Sequence, residues 1–100
     1  MAKWHLTNSA VSDLDSIWEY TAEIWSEQQA DTYYGELIAE IGHIANNKFI
    51  FDREYSEVKI GLFCHHYRKH LIFYQKYENG DVLVIRILHE RMDVPSQLID

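Results

Sequence analysis

A length of 100 residues, with 47% apolar and 14% aromatic residues, excludes a disordered chain and predicts one domain over residues 1–100. Nine lysines and arginines against sixteen aspartates and glutamates give a net charge of −7. That charge disfavours direct nucleic-acid binding, because phosphate contacts need a positive surface. One cysteine, no apolar run of transmembrane length and no signal peptide predict a cytoplasmic protein without an intrachain disulfide or a membrane contact.

The first half of the chain predicts two antiparallel helices. Thr7, or one of the two residues after it, can cap the first helix, and an apolar stripe follows at helical spacing. The stripe comprises Ala10, Leu14, Ile17, Trp18, Thr21, Ile24 and Trp25. Ser26 and Gln29 form a capping box, so a second helix starts almost where the first ends. This short join predicts a helical hairpin.

The second half predicts a three-stranded antiparallel sheet. Alternation indicates a first strand from Val58 to Cys64, and apolar runs indicate two more at Leu71–Tyr74 and Val82–Leu88. The hairpin dipeptide Asn79-Gly80 separates the last two. With a short edge strand at His5-Leu6, the expected fold is α+β in the order β-α-α-β-β-β.

One face of this sheet is expected to lack cover, since two helices cover only the other. The side chains expected on the uncovered face are Phe73 or Tyr74, Val82, Val84 and Leu88. Antiparallel sheets usually leave their second face polar, so an apolar one indicates a second subunit or a docked peptide. We favour such a partner over the alternative, in which the C-terminal segment 94–99 folds back over the face.

The segment Val84–Asp93 carries the strongest chemical signal in the chain. Arg86 places a guanidinium inside an apolar strand, where an unpaired ion is costly, so it needs a partner. His89 follows in a polar cluster where the strand ends. Two interpretations are open: Arg86 and His89 form an active or partner-contacting pair, or the segment is a strand edge with a buried salt bridge.

Two sets of residues, in order along the chain, resemble one known protein family. In the first half they are Leu6-Thr7, Ala10, Asp13-Leu14, Ile17, Tyr20-Thr21, Trp25, Gln29-Ala30, Tyr33 and Leu37. In the second half they are Gly61, His70, Ile72-Phe73-Tyr74, Val84–His89 and Met92-Asp93. This pattern resembles the ParE branch of the RelE/ParE toxin superfamily over nearly the whole chain. Its most specific part is His-x-Ile-Phe-Tyr followed by Arg-Ile-Leu-His-x-x-Met-Asp.

The resemblance implies a small bacterial toxin of a type II toxin–antitoxin module. Toxins of this branch typically block DNA gyrase through a protein–protein contact, so the implied partners are gyrase and a cognate ParD-like antitoxin, and no residue is expected to be catalytic. A homodimer or a toxin–antitoxin hetero-oligomer is compatible with the sequence. The residues expected to contact target or antitoxin are Arg86, His89, Arg91, Met92, Asp93, Val84, Leu88 and Tyr74.

Two alternatives stay open. The sister RelE branch cleaves mRNA on the ribosome, and a ribonuclease of that type would use His89, Arg86 and Arg91 as its catalytic residues. Against it stand the net charge and a first strand on which Lys59 is the only basic residue. The second alternative is a degenerate, non-toxic homologue that still binds antitoxin, because Asn47–Arg53 lacks the proline and the Gly-Arg pair common in the family.

A metal site is not expected. Cys64, His65, His66 and His70 are metal-ligand types, but a turn expected at residues 67–69 breaks the strand that would align them. No cofactor is expected either.

Overall fold

A computed structural model, which describes residues 3–46, 52–92 and Leu98, places two helices on one five-stranded sheet. The elements are β1 (Trp4–Leu6), α1 (Asn8–Ile24), α2 (Glu27–Ala45), β2 (Arg53–Glu54), β3 (Leu62–Tyr67), β4 (His70–Lys76) and β5 (Val82–His89). The strand order is β1-β5-β4-β3-β2, with β1 parallel to β5 and the other pairs antiparallel. The predicted α+β fold is confirmed, and the two-residue strand β2 is an addition to it.

Both helices begin at the predicted caps. The Thr7 hydroxyl accepts from the Ala10 backbone N–H and the Ser26 hydroxyl accepts from Gln29, each at 3.0 Å. Thr7 also ties α1 to the sheet, because its hydroxyl donates to the backbone carbonyl of Ile85 at 2.6 Å. The start of α1 is therefore fixed beside β5, which matters for the site described below.

The predicted apolar stripe of α1 is only partly buried. Ala10 and Leu14 in its first half are fully buried, whereas Ile24 and Trp25 are 57% and 75% exposed. Burial of the stripe is therefore complete only at Ala10 and Leu14. The helical periodicity continues beyond the part of the helix that packs on the rest of the chain.

The first predicted strand begins too early. Val58 and Lys59 both donate to the Tyr55 carbonyl at 3.0 Å, which closes a turn, and Ile60 is 84% exposed. Gly61 has a φ of 83°, a left-handed conformation that a glycine adopts without steric cost. The alternation of apolar and polar residues thus runs through a turn, and β3 starts at Leu62.

A β-bulge in β5 redistributes the side chains between the two faces of the sheet. Tyr74 pairs with Val84 and Phe73 with Arg86, which leaves Ile85 as the extra residue of the longer strand. The core under the helices comprises Ala10, Leu14, Leu37, Ile41, Ile44, Ala45, Ile72, Tyr74, Val82, Val84 and Ile87. The expectation that Val82 and Val84 face away from the helices is therefore wrong, while Phe73 and Leu88 do lie on the second face.

This second face is covered by the chain itself. Its buried residues are Leu62, Cys64, Phe73 and Leu88. Tyr55 and Val58 from the turn before β3 pack on them, and so does Leu98. The expectation of an open apolar face that needs a partner is wrong, because Phe73 and Leu88 are already buried in the isolated chain.

Candidate partner-binding site at the end of β5

Arg86 is bound by a carboxylate of α1. Its Nε donates to Asp13 Oδ2 at 2.7 Å and its Nη2 donates to Asp13 Oδ1 at 2.9 Å, a bidentate pair. The two side chains are 23% and 14% exposed. Of the two interpretations given above for this segment, the structure therefore shows the second, a strand edge with a largely buried salt bridge. A contact of Arg86 with target or antitoxin stays a prediction.

Asp13 also completes the edge of β5. Strand β1 pairs with β5 only from Val82 to Val84, because the chain then turns into α1. Beyond that point Asp13 Oδ2 accepts the backbone N–H of Ile87 at 2.9 Å. A buried N–H without an acceptor is costly, so this carboxylate supplies the acceptor that a neighbouring strand would otherwise provide.

His89 lies at the last position of β5, paired in register with His70 at the start of β4. The two rings meet edge to face with centroids 5.4 Å apart. Burial, and then the neighbouring His89 ring, lower the pKa of His70 from 6.5 to about 4. His70 is therefore neutral near pH 7.

Tyr33 connects His70 to a group of hydroxyl and charged side chains on the helix side. Tyr33 of α2 forms a 2.7 Å hydrogen bond with His70 Nδ1, and neutral His70 can accept the phenolic proton there. Tyr33 also stacks on Tyr67 at 6.3 Å between centroids. Burial, and then Tyr67, raise the pKa of Tyr33 to about 12, so its hydroxyl stays protonated. The Tyr67 hydroxyl and Arg68 Nε both donate to Glu36 Oε1, at 2.6 and 3.1 Å.

A tight turn follows His89 and exposes the next side chains. His89 Nδ1 accepts from the Arg91 backbone N–H at 3.1 Å, and the Met92 N–H donates to the His89 carbonyl at 3.0 Å. Arg91 is exposed and Met92 is 47% exposed. Asp93, the next predicted residue, lies outside the described residues. We name His89, Arg91 and Met92 the β5 exit.

The structure separates the predicted site residues into three groups. His89, Arg91 and Met92 come together at the β5 exit, whereas Arg86 reaches toward α1. Val84 and Tyr74 are buried under the helices, and Leu88 is buried on the second face. Buried side chains cannot contact a partner unless the domain opens, so those three contribute to the core.

Sequence reasoning missed a second polar network, centred on His65. His65 Nε2 lies 2.6 Å from Glu40 Oε2, and its Nδ1 lies 3.0 Å from Asp52 Oδ1. The Tyr74 hydroxyl donates to the other Asp52 oxygen at 2.6 Å, and burial raises the Tyr74 pKa. This network ties α2, β3 and β4 to the segment before β2. Glu40 lies one turn after Glu36 and two turns after Tyr33 along α2, a spacing that could have indicated a polar flank of that helix facing the sheet.

Phosphate cleavage at the β5 exit would require cations close to His89. A ribonuclease needs cations for the developing charge, yet Arg86 is neutralised by Asp13 and Arg68 by Glu36. Neutral His70 adds no positive charge beside His89. Within residues 3–46, 52–92 and 98, no group of three or more His, Cys, Asp or Glu side chains is placed to hold a metal ion.

Comparison with known proteins places this architecture in one family. Residues 5–94 match the family of the ParE toxin of type II toxin–antitoxin systems, parDE. Toxin ParE1 of Mycobacterium tuberculosis is 34% identical over 97% of this chain and 98% of its own length. Toxin ParE of Escherichia coli is 32% identical over 100% of this chain and 96% of its own.

A solved structure shares the fold. It is described as a chromosomal ParDE TA system from P. aeruginosa, and it superposes with a TM-score of 0.73 at 15% identity, covering 89% of this chain and 96% of the other. Together with the sequence matches, this fold defines a small toxin of the RelE/ParE superfamily. The chain belongs to the ParE toxins of type II toxin–antitoxin systems. Across the described part of the chain, neither helix is long and apolar enough to span a bilayer.

Proposed function

We propose that this ParE-type toxin acts in the cytoplasm on DNA gyrase, through a protein–protein contact, and is neutralised by a cognate ParD-like antitoxin. Membership of the ParE family carries the proposal, since gyrase inhibition is the action that this family implies. The solved P. aeruginosa structure with the same fold is a ParDE system, which supports a ParD-like antitoxin as the partner.

The β5 exit supports a binding mechanism. Arg91 and Met92 present a cation and a flexible apolar side chain at successive positions of a turn, whose backbone is held by two hydrogen bonds to His89. Arginine and methionine are enriched in protein interfaces, because they combine apolar contact area with charge or adaptability. We propose that these two side chains contact gyrase.

Electrostatics argues against the rival ribonuclease. Arg86 is paired with Asp13 and Arg68 with Glu36, and the chain carries a net charge of −7. Docking on ribosomal RNA releases counterions only where several basic groups meet phosphates. Of the two arginines expected in a ribonuclease site, only Arg91 is then available for phosphate, whereas a protein contact does not need a cluster of cations.

Two assays on the purified toxin distinguish these functions. One follows supercoiling of relaxed plasmid by gyrase, and the other follows cleavage of mRNA on programmed ribosomes. We expect inhibited supercoiling, intact mRNA and relief by the antitoxin. Cleaved mRNA with unaffected gyrase would contradict the proposal, and a folded toxin without effect in either assay would support the degenerate homologue.

A further inference from the structure

A cleft lies between α1 and α2 on the solvent side of the hairpin, separate from the β5 exit. It is an open depression of about 450 Å³. The side chains that line it are Asp15, Trp18, Glu19, Asp31 and Tyr34. Two aromatic rings thus stand among three carboxylates, and the lining contains no basic side chain.

Trp18 is held in place by the second helix. Its indole Nε1 donates to Asp31 Oδ1 at 2.8 Å, which joins α1 to α2 and fixes the orientation of the ring. Tyr34, one turn after Asp31 on α2, is 37% exposed. Aromatic rings attract cations through their negative faces, and nearby carboxylates add direct charge attraction. A guanidinium or an ammonium group fits this chemistry, whereas an anion does not.

The apolar surface continues along α1 from this cleft. Val11 and Trp18 are seven residues apart, so they lie on one flank of α1, and Trp25 follows at the residue where the helix ends. Val11 is 43% exposed and Trp25 is 75% exposed. At 1.5 Å per residue the row spans roughly 21 Å, about four turns of a partner helix.

We propose that this surface binds a basic amphipathic segment of a partner protein, with one Arg or Lys side chain in the cleft between Trp18 and Tyr34. Charge complementarity determines the choice of occupant. The chain carries a net charge of −7, which disfavours a second copy of itself, and three carboxylates at the cleft disfavour an acidic segment. The proposal does not depend on which target the toxin attacks.

The experiment measures binding of a synthetic 15-residue (about four turns) amphipathic peptide that carries Lys and Arg on one face. A sequence-matched peptide with citrulline and acetyl-lysine in their place is the neutral probe. We expect the basic peptide to bind, with an affinity that falls as salt rises, and the neutral peptide to bind at least about tenfold more weakly. Equal binding of both peptides would overturn the proposal.

Two matched pairs of variants locate the binding. Glu19→Gln removes a carboxylate of the cleft, whereas Glu23→Gln makes the same change one turn along α1 outside it. Tyr34→Leu removes a ring of the cleft, whereas Tyr20→Leu removes a ring that is 64% exposed elsewhere on the hairpin. We expect Glu19→Gln and Tyr34→Leu each to weaken the basic peptide about three- to tenfold, with the two controls near wild type.

Circular dichroism confirms that each variant is folded before it is scored. If the folded cleft variants bind as tightly as their controls, the proposal fails. It also fails if sedimentation shows a dimer that Tyr34→Leu dissolves, since the occupant is then a second copy. Gyrase supercoiling, measured on the same variants, reports separately on the function proposed above.

Discussion

Asp13 binds the guanidinium of Arg86 and the backbone N–H of Ile87 at the same time. One carboxylate of α1 therefore pairs with the charge of Arg86 on β5. It also accepts a backbone N–H at the edge of that strand, where no neighbouring strand is paired. The pair also fixes the position of α1 against the part of β5 that leads to the β5 exit. Losing either partner leaves the other ionised and poorly solvated.

Arg86→Ala should destabilise the domain by about 2 kcal/mol, because Asp13 keeps its charge but loses two charge-assisted hydrogen bonds. Asp13→Asn retains an acceptor for Ile87, so it should cost less than Asp13→Ala. The measurement is urea unfolding, with Asp15→Asn on the exposed side of α1 as the control. Stability costs of Arg86→Ala and Asp13→Ala that simply add in the double variant would show that the pair is not coupled.

Acid should weaken the domain through His70. Its folded-state pKa of about 4 lies below its ordinary value of 6.5, so between those values the unfolded chain binds a proton that the folded chain does not. This contribution is fully present above about pH 6.5 and is lost as the pH falls toward 4. With allowance for partial solvent exposure, it amounts to about 1–2 kcal/mol.

The test compares urea unfolding of wild type and His70→Gln from pH 7.5 to 4. The variant should lose less stability over that range than wild type does, since a glutamine side chain does not titrate. His5→Gln, at an exposed position of β1, should follow the wild-type curve. Parallel curves for wild type and His70→Gln would contradict the assigned role of His70.

The hydrogen-bond network of His65 should stabilise the fold more than the neutral state of His70 does. His65→Leu leaves the carboxylates of Glu40 and Asp52 without the imidazole that lies between them, so we expect a loss of about 2–4 kcal/mol. Tyr74→Phe removes one hydrogen bond to Asp52 and should cost about 1 kcal/mol. Thermal unfolding measures both, with Tyr77→Phe on the exposed hairpin as the control. Losses no greater than that control's would show that the network does not stabilise the fold.

Cys64 should be unreactive in the folded protein. It is 8% exposed on the second face, and burial raises the pKa of its thiol to about 12, so little thiolate exists near pH 8. Iodoacetamide at pH 8 should label it slowly in buffer and rapidly in urea. Fast labelling of the native protein would mean that Leu98 and the turn before β3 do not cover that face.

The sequence predicts the elements better than it predicts their faces. Capping residues Thr7 and Ser26 and the dipeptide Asn79-Gly80 are local signals, and each marks the boundary that the structure contains. The bulge at Ile85 depends on how β4 and β5 pair, which no local pattern encodes. A strand with apolar residues on both faces does not show which residues face the helices. Val82 and Val84 were therefore predicted on the second face, whereas they lie under the helices.

In the candidate site, too, the sequence predicts what depends on local signals and not what depends on pairing between distant segments. The unusual position of Arg86 in an apolar strand indicated that it needs a partner, but its partner Asp13 is 73 residues away in sequence and carries no local sign of the pairing. The pairing of His70 with His89 likewise depends on strand register. In contrast, the exposure of Arg91 and Met92 follows directly from the end of the strand, which the sequence did locate.

Inhibition of gyrase through the β5 exit is tested most directly by a supercoiling assay. Purified gyrase is titrated with wild type, Arg91→Ala and Met92→Ser, with Lys59→Ala and Ile60→Ser as exposed controls in the turn before β3. We expect wild type and both controls to inhibit, and the two β5 exit variants to need at least about tenfold more protein while keeping wild-type stability. Inhibition unchanged by Arg91→Ala and Met92→Ser, or absent from wild type itself, would contradict the proposed mechanism.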